Sequence, residues 1–222
     1  MESGFWLERW QRGEIGFHRH QVHPLLQAYL PQLALQEGAH VFVPLCGKSL
    51  DIGYLLEQEL AVTGVELSEL AVRELFDVLS LSPDVTDWRA GRCWRGGQLT
   101  IFQGDYFALR AADIGAVDAV YDRAALVAMP DELRHDYAGH LLEITYAAPQ
   151  LLVSFEYRQA QMAGPPFSVA TPELMQLYGD CLELRELART DIIAAEPRFR
   201  DRGLEQLDEV AWHLVPVVDR PA

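Results

Sequence analysis

Only three of the 222 residues are cysteine, and Cys46, Cys93 and Cys181 lie far apart with no Cys-x-x-Cys pair among them. That spacing excludes both a disulfide framework and a cysteine-based zinc site, and it fits a reducing, cytoplasmic setting. Basic charge is also scarce: 18 Lys+Arg stand against 33 Asp+Glu, a formal net charge of −15. A chain with no run of basic residues cannot release counterions from a phosphate backbone, which argues against nucleic acid as a partner. The same balance argues against a polybasic membrane anchor. Long apolar runs are missing too; none approaches the ~18 residues of a membrane span, and the N-terminus lacks the basic-then-apolar layout of a secretory signal. Lysine is all but absent. The 18 basic residues are 17 arginines and the single Lys48.

What is present is a core. Half of the residues are hydrophobic and 23% are charged, so a chain of this length folds as one domain, 1–222, without staples. No internal repeat or linker divides it. Residues 1–35 differ in texture and read as a helical N-terminal extension, with Trp6 and Trp10 one turn apart on one face. Beyond residue 38, short β-rich runs alternate with helical stretches, which is the pattern of a βαβ sheet. Strands are predicted at His40–Pro44, Ala61–Leu67, Leu99–Phe102, Val117–Tyr121 and Leu151–Tyr157. Two more, Leu182–Leu187 and Val210–Val218, are close enough in sequence to pair antiparallel. Helices are predicted over Ser49–Leu60, Ser68–Leu81 with Ser68 as N-cap, and Asp131–Tyr146, and one starts at Thr171-Pro172-Glu173 with Thr171 as N-cap and Pro172 at N1. The segment Ser82–Gly97 interrupts the alternation and reads as a decoration outside the sheet. The fold class is therefore α/β: a Rossmann-like, doubly wound, mostly parallel sheet of about seven strands.

Ligands of such sheets bind beyond the carboxyl ends of the strands. After the first strand comes Pro44-Leu45-Cys46-Gly47-Lys48-Ser49, and Glu66 follows Gly47 by 19 positions. An acid at that distance can accept from two ribose hydroxyls. The loop lacks G-x-G-x-x-G, and a P-loop glycine is replaced by Phe42, so neither a pyrophosphate nor a triphosphate has its cradle. S-adenosylmethionine carries an adenosine without phosphate and fits one glycine plus one acid. Spacing alone leaves open that Gly47 merely makes a tight turn and that Glu66 is solvated. After the third strand, Asp105 and Tyr106 put an acid and an aromatic where an adenine would lie, although Asp105 can equally be an ordinary turn residue. No Asn/Asp-Pro-Pro-Tyr/Phe follows the fourth strand, which argues against methylation of a base amine. Histidines at 18, 20, 23, 135 and 140 lack ligand spacing, so no metal is expected.

Four segments in order, Pro44–Ser49, Gly64–Glu69, Asp122–Ala128 and Gly164-Pro165-Pro166-Phe167, together resemble the thiopurine S-methyltransferase family, in its bacterial form, over residues 5 to 216. The resemblance implies a class I methyltransferase fold that takes S-adenosylmethionine and leaves S-adenosylhomocysteine. It implies cofactor contacts from Trp10, Leu45, Glu66, Asp105, Tyr106 and Arg123. It also implies that Phe17, Arg123 and Arg198 face the acceptor, with Arg200 and Arg202 near enough in sequence to exchange with Arg198. The implied reaction is methyl transfer to small aromatic or heterocyclic thiols, with selenium or tellurium compounds as further acceptors, in a detoxifying role and by a monomer. Arg123 is then expected to stabilise the acceptor thiolate. Trp10 and Phe17 belong either to a mobile cover or to a permanently packed helix. A non-catalytic cofactor-binding protein, or a methyltransferase of another small nucleophile, is the alternative.

Overall fold

A computed structural model describes residues 3–217; the ends of the domain expected over 1–222, and Val218 of its last predicted strand, lie outside them. The chain divides into two compact units, Met1–Tyr121 and Asp122–Ala222.

The first unit opens with α1 (Ser3–Arg12) and α2 (Pro24–Tyr29), joined by the non-helical residues 13–23. Then follow β1 (His40–Val43), α3 (Leu50–Glu57), β2 (Ala61–Glu66), α4 (Glu69–Val78), β3 (Asp84–Trp88), β4 (Gly91–Gly96), β5 (Leu99–Gly104), α5 (Ala111–Ile114) and the start of β6 (Ala119–Arg123), whose last two residues belong to the second unit. The strand order in this unit is β3-β4-β5-β2-β1-β6. β1 runs parallel to β2 in the register Val41 to Val62 and parallel to β6 in the register Val41 to Ala119. The order reverses at β1, so the end of that strand is the topological switch point. The buried runs Val41-Phe42-Val43 and Val62 to Val65 explain why the strands sit in the middle of the layer. A strand covered on both faces is apolar throughout rather than alternating.

The segment 82–97 is not a decoration. Its β3 and β4 form an antiparallel hairpin, and β4 pairs antiparallel with β5 from Gly91 to Gly104 through Gly96 to Leu99. Each strand was hard to read because β3 is exposed at four of five positions and β4 contains two arginines and two glycines. Nine strands are therefore described instead of about seven.

The second unit carries α6 (Asp131–Thr145), β7 (Gln150–Glu156), α7 (Thr171–Tyr178), β8 (Leu182–Asp191), α8 (Pro197–Arg200) and β9 (Asp208–Pro216). β9 pairs antiparallel with β8, as expected of the two late strands, and also with β7. One cap differs from expectation. Ala170 is the N-cap of α7, and Thr171, the first helical residue, donates both its N–H and its hydroxyl to Glu156 Oε1 at 3.1 Å. The carboxylate of β7 thus captures the hydroxyl that would otherwise have capped the helix.

Candidate active site

The turn after β1 is built around a buried carboxylate. Glu66 ends β2 and is 6% exposed. Its Oε2 accepts the Gly47 N–H at 2.9 Å, and its Oε1 accepts the Ser68 N–H at 2.8 Å. The parallel register brings the ends of β1 and β2 level, and Cys46 N–H donates to Val65 O at 2.9 Å to continue the ladder into the turn. Leu45 at φ 45° and Gly47 at φ 54° make that turn left-handed at two places. Left-handed backbone suits glycine and strains leucine, so Leu45 is held there by its surroundings. A Cβ on Gly47 would lie 3.2 Å from Trp10 Cζ2, so the indole rests directly on this glycine.

Burial pushes the Glu66 carboxyl up to about 7, although the N–H groups of Ser68, Gly47 and Leu67 oppose the rise. The solvated alternative for Glu66 is thereby removed. Each carboxylate oxygen has more than one lone pair, so a buried pair of oxygens already anchored to backbone can still accept from two hydroxyls. That donor–acceptor set fits a vicinal diol. It does not fit a phosphate, which a buried carboxylate would repel.

The N-terminal aromatics pack together in the same unit. Trp10 on α1 is buried, and its ring meets Phe17 edge-on with centroids 5.5 Å apart; Trp6 meets the same Phe17 at 5.7 Å. The turn spacing of Trp6 and Trp10 is what lets one phenyl ring touch both. His23 caps α2, its Nδ1 accepting from Leu25 N–H at 3.2 Å, while its own N–H donates to Asp51 Oδ1 at 2.7 Å. Asp51 Oδ2 also accepts from Tyr121 Oη at 2.9 Å. This buried carboxylate ties α3 to the start of α2 and to β6, and its lone acidic position in the sequence held no signal of that role.

After β5, Asp105 and Tyr106 part company. Asp105 is exposed, and its Oδ1 accepts the Phe107 N–H at 3.0 Å, so one oxygen serves the turn, as the plain turn reading has it. Tyr106 is buried, its ring 5.1 Å from that of Phe107. Phe107 itself is exposed.

The other expected residues, Arg123 and the arginines at 198, 200 and 202, belong to the second unit. Arg123 is the last residue of β6, and Ala124 follows at φ 64°. Asp122, fully buried, accepts from Tyr137 Oη at 2.7 Å and from Leu126 N–H at 3.1 Å. It thereby fixes the backbone on the far side of Arg123, and burial pushes its carboxyl up to about 6. Arg198 Nε donates to Glu196 Oε2 at 2.9 Å, and its guanidinium lies 4.6 Å from the Phe199 ring centre. Arg202 does something different: its Nη1 donates to Pro165 O at 3.2 Å and its Nη2 to Gly164 O at 3.4 Å. The Gly164–Phe167 segment is further held by Phe167 N–H on Val127 O at 2.7 Å and by Tyr157 Oη on Pro166 O at 2.7 Å. Of the three clustered arginines, Arg202 is the one hydrogen-bonded to this segment among the described contacts.

Comparison with known proteins follows the same lines. The family profile described as Thiopurine S-methyltransferase matches residues 1–216. A thiopurine S-methyltransferase of Nitrosospira multiformis is 46% identical over 216 residues, covering 97% of this chain and 98% of that protein. One from Pseudomonas aeruginosa is 42% identical over 215 residues, covering 96% and 99%. Among solved structures, an S-adenosylmethionine-dependent methyltransferase of Thiobacillus denitrificans in complex with S-adenosylhomocysteine aligns with a TM-score of 0.60 at 14% identity, covering 98% of this chain and 99% of that one. The 1,6-didemethyltoxoflavin-N1-methyltransferase of Burkholderia thailandensis aligns at 0.61 with 15% identity, covering 96% and 87%. These structural likenesses bear out the class I methyltransferase fold.

Proposed function

Since this chain belongs to the thiopurine S-methyltransferase family, we propose that it moves the methyl group of S-adenosylmethionine onto the sulfur of small aromatic or heterocyclic thiols. Selenium and tellurium nucleophiles, being soft like sulfur, fall within the same acceptor class. The reading treats residues 1–222 as one methyltransferase domain, supported by a family match that runs through both compact units.

The observation that carries the proposal is Glu66, a buried carboxylate with each oxygen anchored to a backbone N–H at the switch point. In this role it accepts from the ribose hydroxyls. Leu45 and Gly47 shape the turn against the amino-acid end of the cofactor. Asp105 and Tyr106 take the adenine, the acid accepting from its exocyclic amine and the ring packing beside the base. Trp10 and Phe17 cover the site and exclude water, which strengthens every polar contact beneath them. When bound, the cofactor supplies an electrophilic methyl group on a sulfonium sulfur. The work left to the chain is to hold the acceptor sulfur in line with that methyl, and positioning of this kind supplies a large share of the rate.

Arg123 is assigned to the acceptor. Its guanidinium donates to the heterocycle and favours the thiolate, aided by Arg198 or its neighbour Arg202. An aromatic thiol is acidic enough to need no dedicated base. The test pairs a heterocyclic thiol with its hydroxyl and amino analogues, with product position read by mass spectrometry. Methylation on sulfur alone supports the reading, and methylation on oxygen or nitrogen in preference to sulfur overturns it. Arg123→Ala is expected to lower kcat by about ten- to a hundred-fold with cofactor affinity kept, the loss of one charged hydrogen bond in the transition state. Unchanged kinetics would remove Arg123 from the mechanism.

A further inference from the structure

Lys48 is the single lysine of the chain, and the site described above does not use it. It follows Gly47 directly, in the turn whose backbone Glu66 holds. Its Nζ lies 2.6 Å from Glu74 Oε2 on α4, an ion pair whose side chains are 20% and 38% exposed. The same Nζ lies 5.9 Å from the centre of the Trp10 ring. Trp10 rests on Gly47, and α1, which carries it, touches α4. Three elements therefore converge on one ammonium group: the glycine turn by covalent bond, α4 by an ion pair and α1 through the face of an indole.

From this juxtaposition we propose that the Lys48–Glu74 pair is the seat on which the Trp10 helix closes over the cofactor turn, making Lys48 and Glu74 positioning residues for cofactor binding. The inference rests on the reading of Trp10 as a cofactor cover. A compact ammonium suits the place, because it can sit against a carboxylate and an aromatic face at once, whereas a planar guanidinium seeks two carboxylate oxygens. The ion pair sets where the ammonium lies. At 5.9 Å the ring contact is at the outer edge of the effective range, so it is the weaker of the two.

The expected effects are modest because the pair is partly exposed. Loss of either partner should loosen α1 and weaken cofactor binding by about two- to five-fold. Lys48→Met, Glu74→Gln and the double variant are compared in two assays: trypsin cleavage after Arg9 and Arg12 in the ligand-free protein, and calorimetric binding of S-adenosylhomocysteine. Both single variants should be cleaved faster and bind more weakly. The double variant should be no worse than Lys48→Met, since the two act through one contact. In steady state the KM for S-adenosylmethionine should rise while the KM for the thiol holds. Weaker binding in Lys48→Met alone, with cleavage unchanged, would mean that Lys48 touches the cofactor directly and would overturn the proposal. Unchanged cleavage in both variants would overturn it as well. If Lys48→Met lowers the unfolding midpoint, Glu74→Gln on the helix surface carries the test. The cleavage assay needs no methyl transfer, so its outcome stands apart from the proposed reaction.

Discussion

Replacing Glu66 by glutamine keeps the shape of the side chain and removes its charge. In the parent protein both carboxylate oxygens accept backbone N–H groups, from Gly47 at 2.9 Å and from Ser68 at 2.8 Å. A glutamine must turn its amide nitrogen toward one of these donors, and it offers a single acceptor where a diol needs two. Hydrogen bonds to a charged group are worth about 1.5–3 kcal/mol each, so S-adenosylhomocysteine should bind about ten- to a hundred-fold more weakly to Glu66→Gln. The pH dependence sharpens the test. The carboxyl titrates near 7 in the folded protein, and two hydroxyl donors require the carboxylate form. Parent affinity should therefore be flat above about pH 8 and fall about tenfold for each unit below 7, with proton release on binding near neutrality. Glu66→Gln should lack both the slope and the proton release. Calorimetry in two buffers of different ionisation enthalpy reads all three quantities. Parent affinity independent of pH from 5.5 to 8.5, or a variant binding within two-fold of the parent, would refute the role assigned to this carboxylate.

Other perturbations follow from the same contacts. Gly64→Ala should destabilise the fold by about 1–3 kcal/mol in urea titrations, because the added Cβ would lie 2.8 Å from both Cys46 Sγ and Ile101 Cδ1 in a packed layer. Asp122 has its carboxyl raised by burial to about 6, above its unfolded value, so its share of stability is full below the unfolded value and is lost as pH rises through about 6. Asp122→Asn should accordingly lose about 2–3 kcal/mol less than the parent between pH 4 and pH 7, and an equal loss in both proteins would contradict the burial argument. Arg202→Ala should raise the KM for the thiol more than Arg198→Ala does, because Arg202 is bonded to the carbonyls of Pro165 and Gly164 whereas Arg198 is tied to Glu196. The opposite ranking would assign the acceptor contact to Arg198.

The parallel strands and the glycine turn were legible because their chemistry is local. Val41-Phe42-Val43 is a short β-branched and aromatic run bounded by Pro44, the pattern of a buried strand, and Ser68 caps α4 through Ala71 N–H at 3.3 Å as its position foretells. Glu66 was legible by distance from Gly47, yet its burial was not, since that depends on the register of β1 against β2. The hairpin of β3 and β4 was hidden by its own exposure: an edge strand rich in charge lacks the apolar run that marks a central one. Asp51, Asp122 and the Lys48–Glu74 pair were invisible for a related reason. Their partners, Tyr121, Tyr137 and Glu74, lie 70, 15 and 26 positions away, and no periodicity connects them. Spacing could not tell the three nearby arginines apart, because the bonds of Arg202 depend on where Gly164 and Pro165 turn their carbonyls.

The central claim is that this chain binds an adenosyl sulfonium donor and passes its methyl group to a thiol sulfur. The most direct measurement is one sample carried through two steps: titration with S-adenosylhomocysteine in a calorimeter, then addition of S-adenosylmethionine with a labelled methyl group and a heterocyclic thiol. The account predicts saturable binding followed by label on sulfur. Binding without transfer to any thiol would leave a cofactor-binding protein and contradict the proposed reaction, and no binding of either ligand would contradict the reading of Gly47 and Glu66 on which it stands.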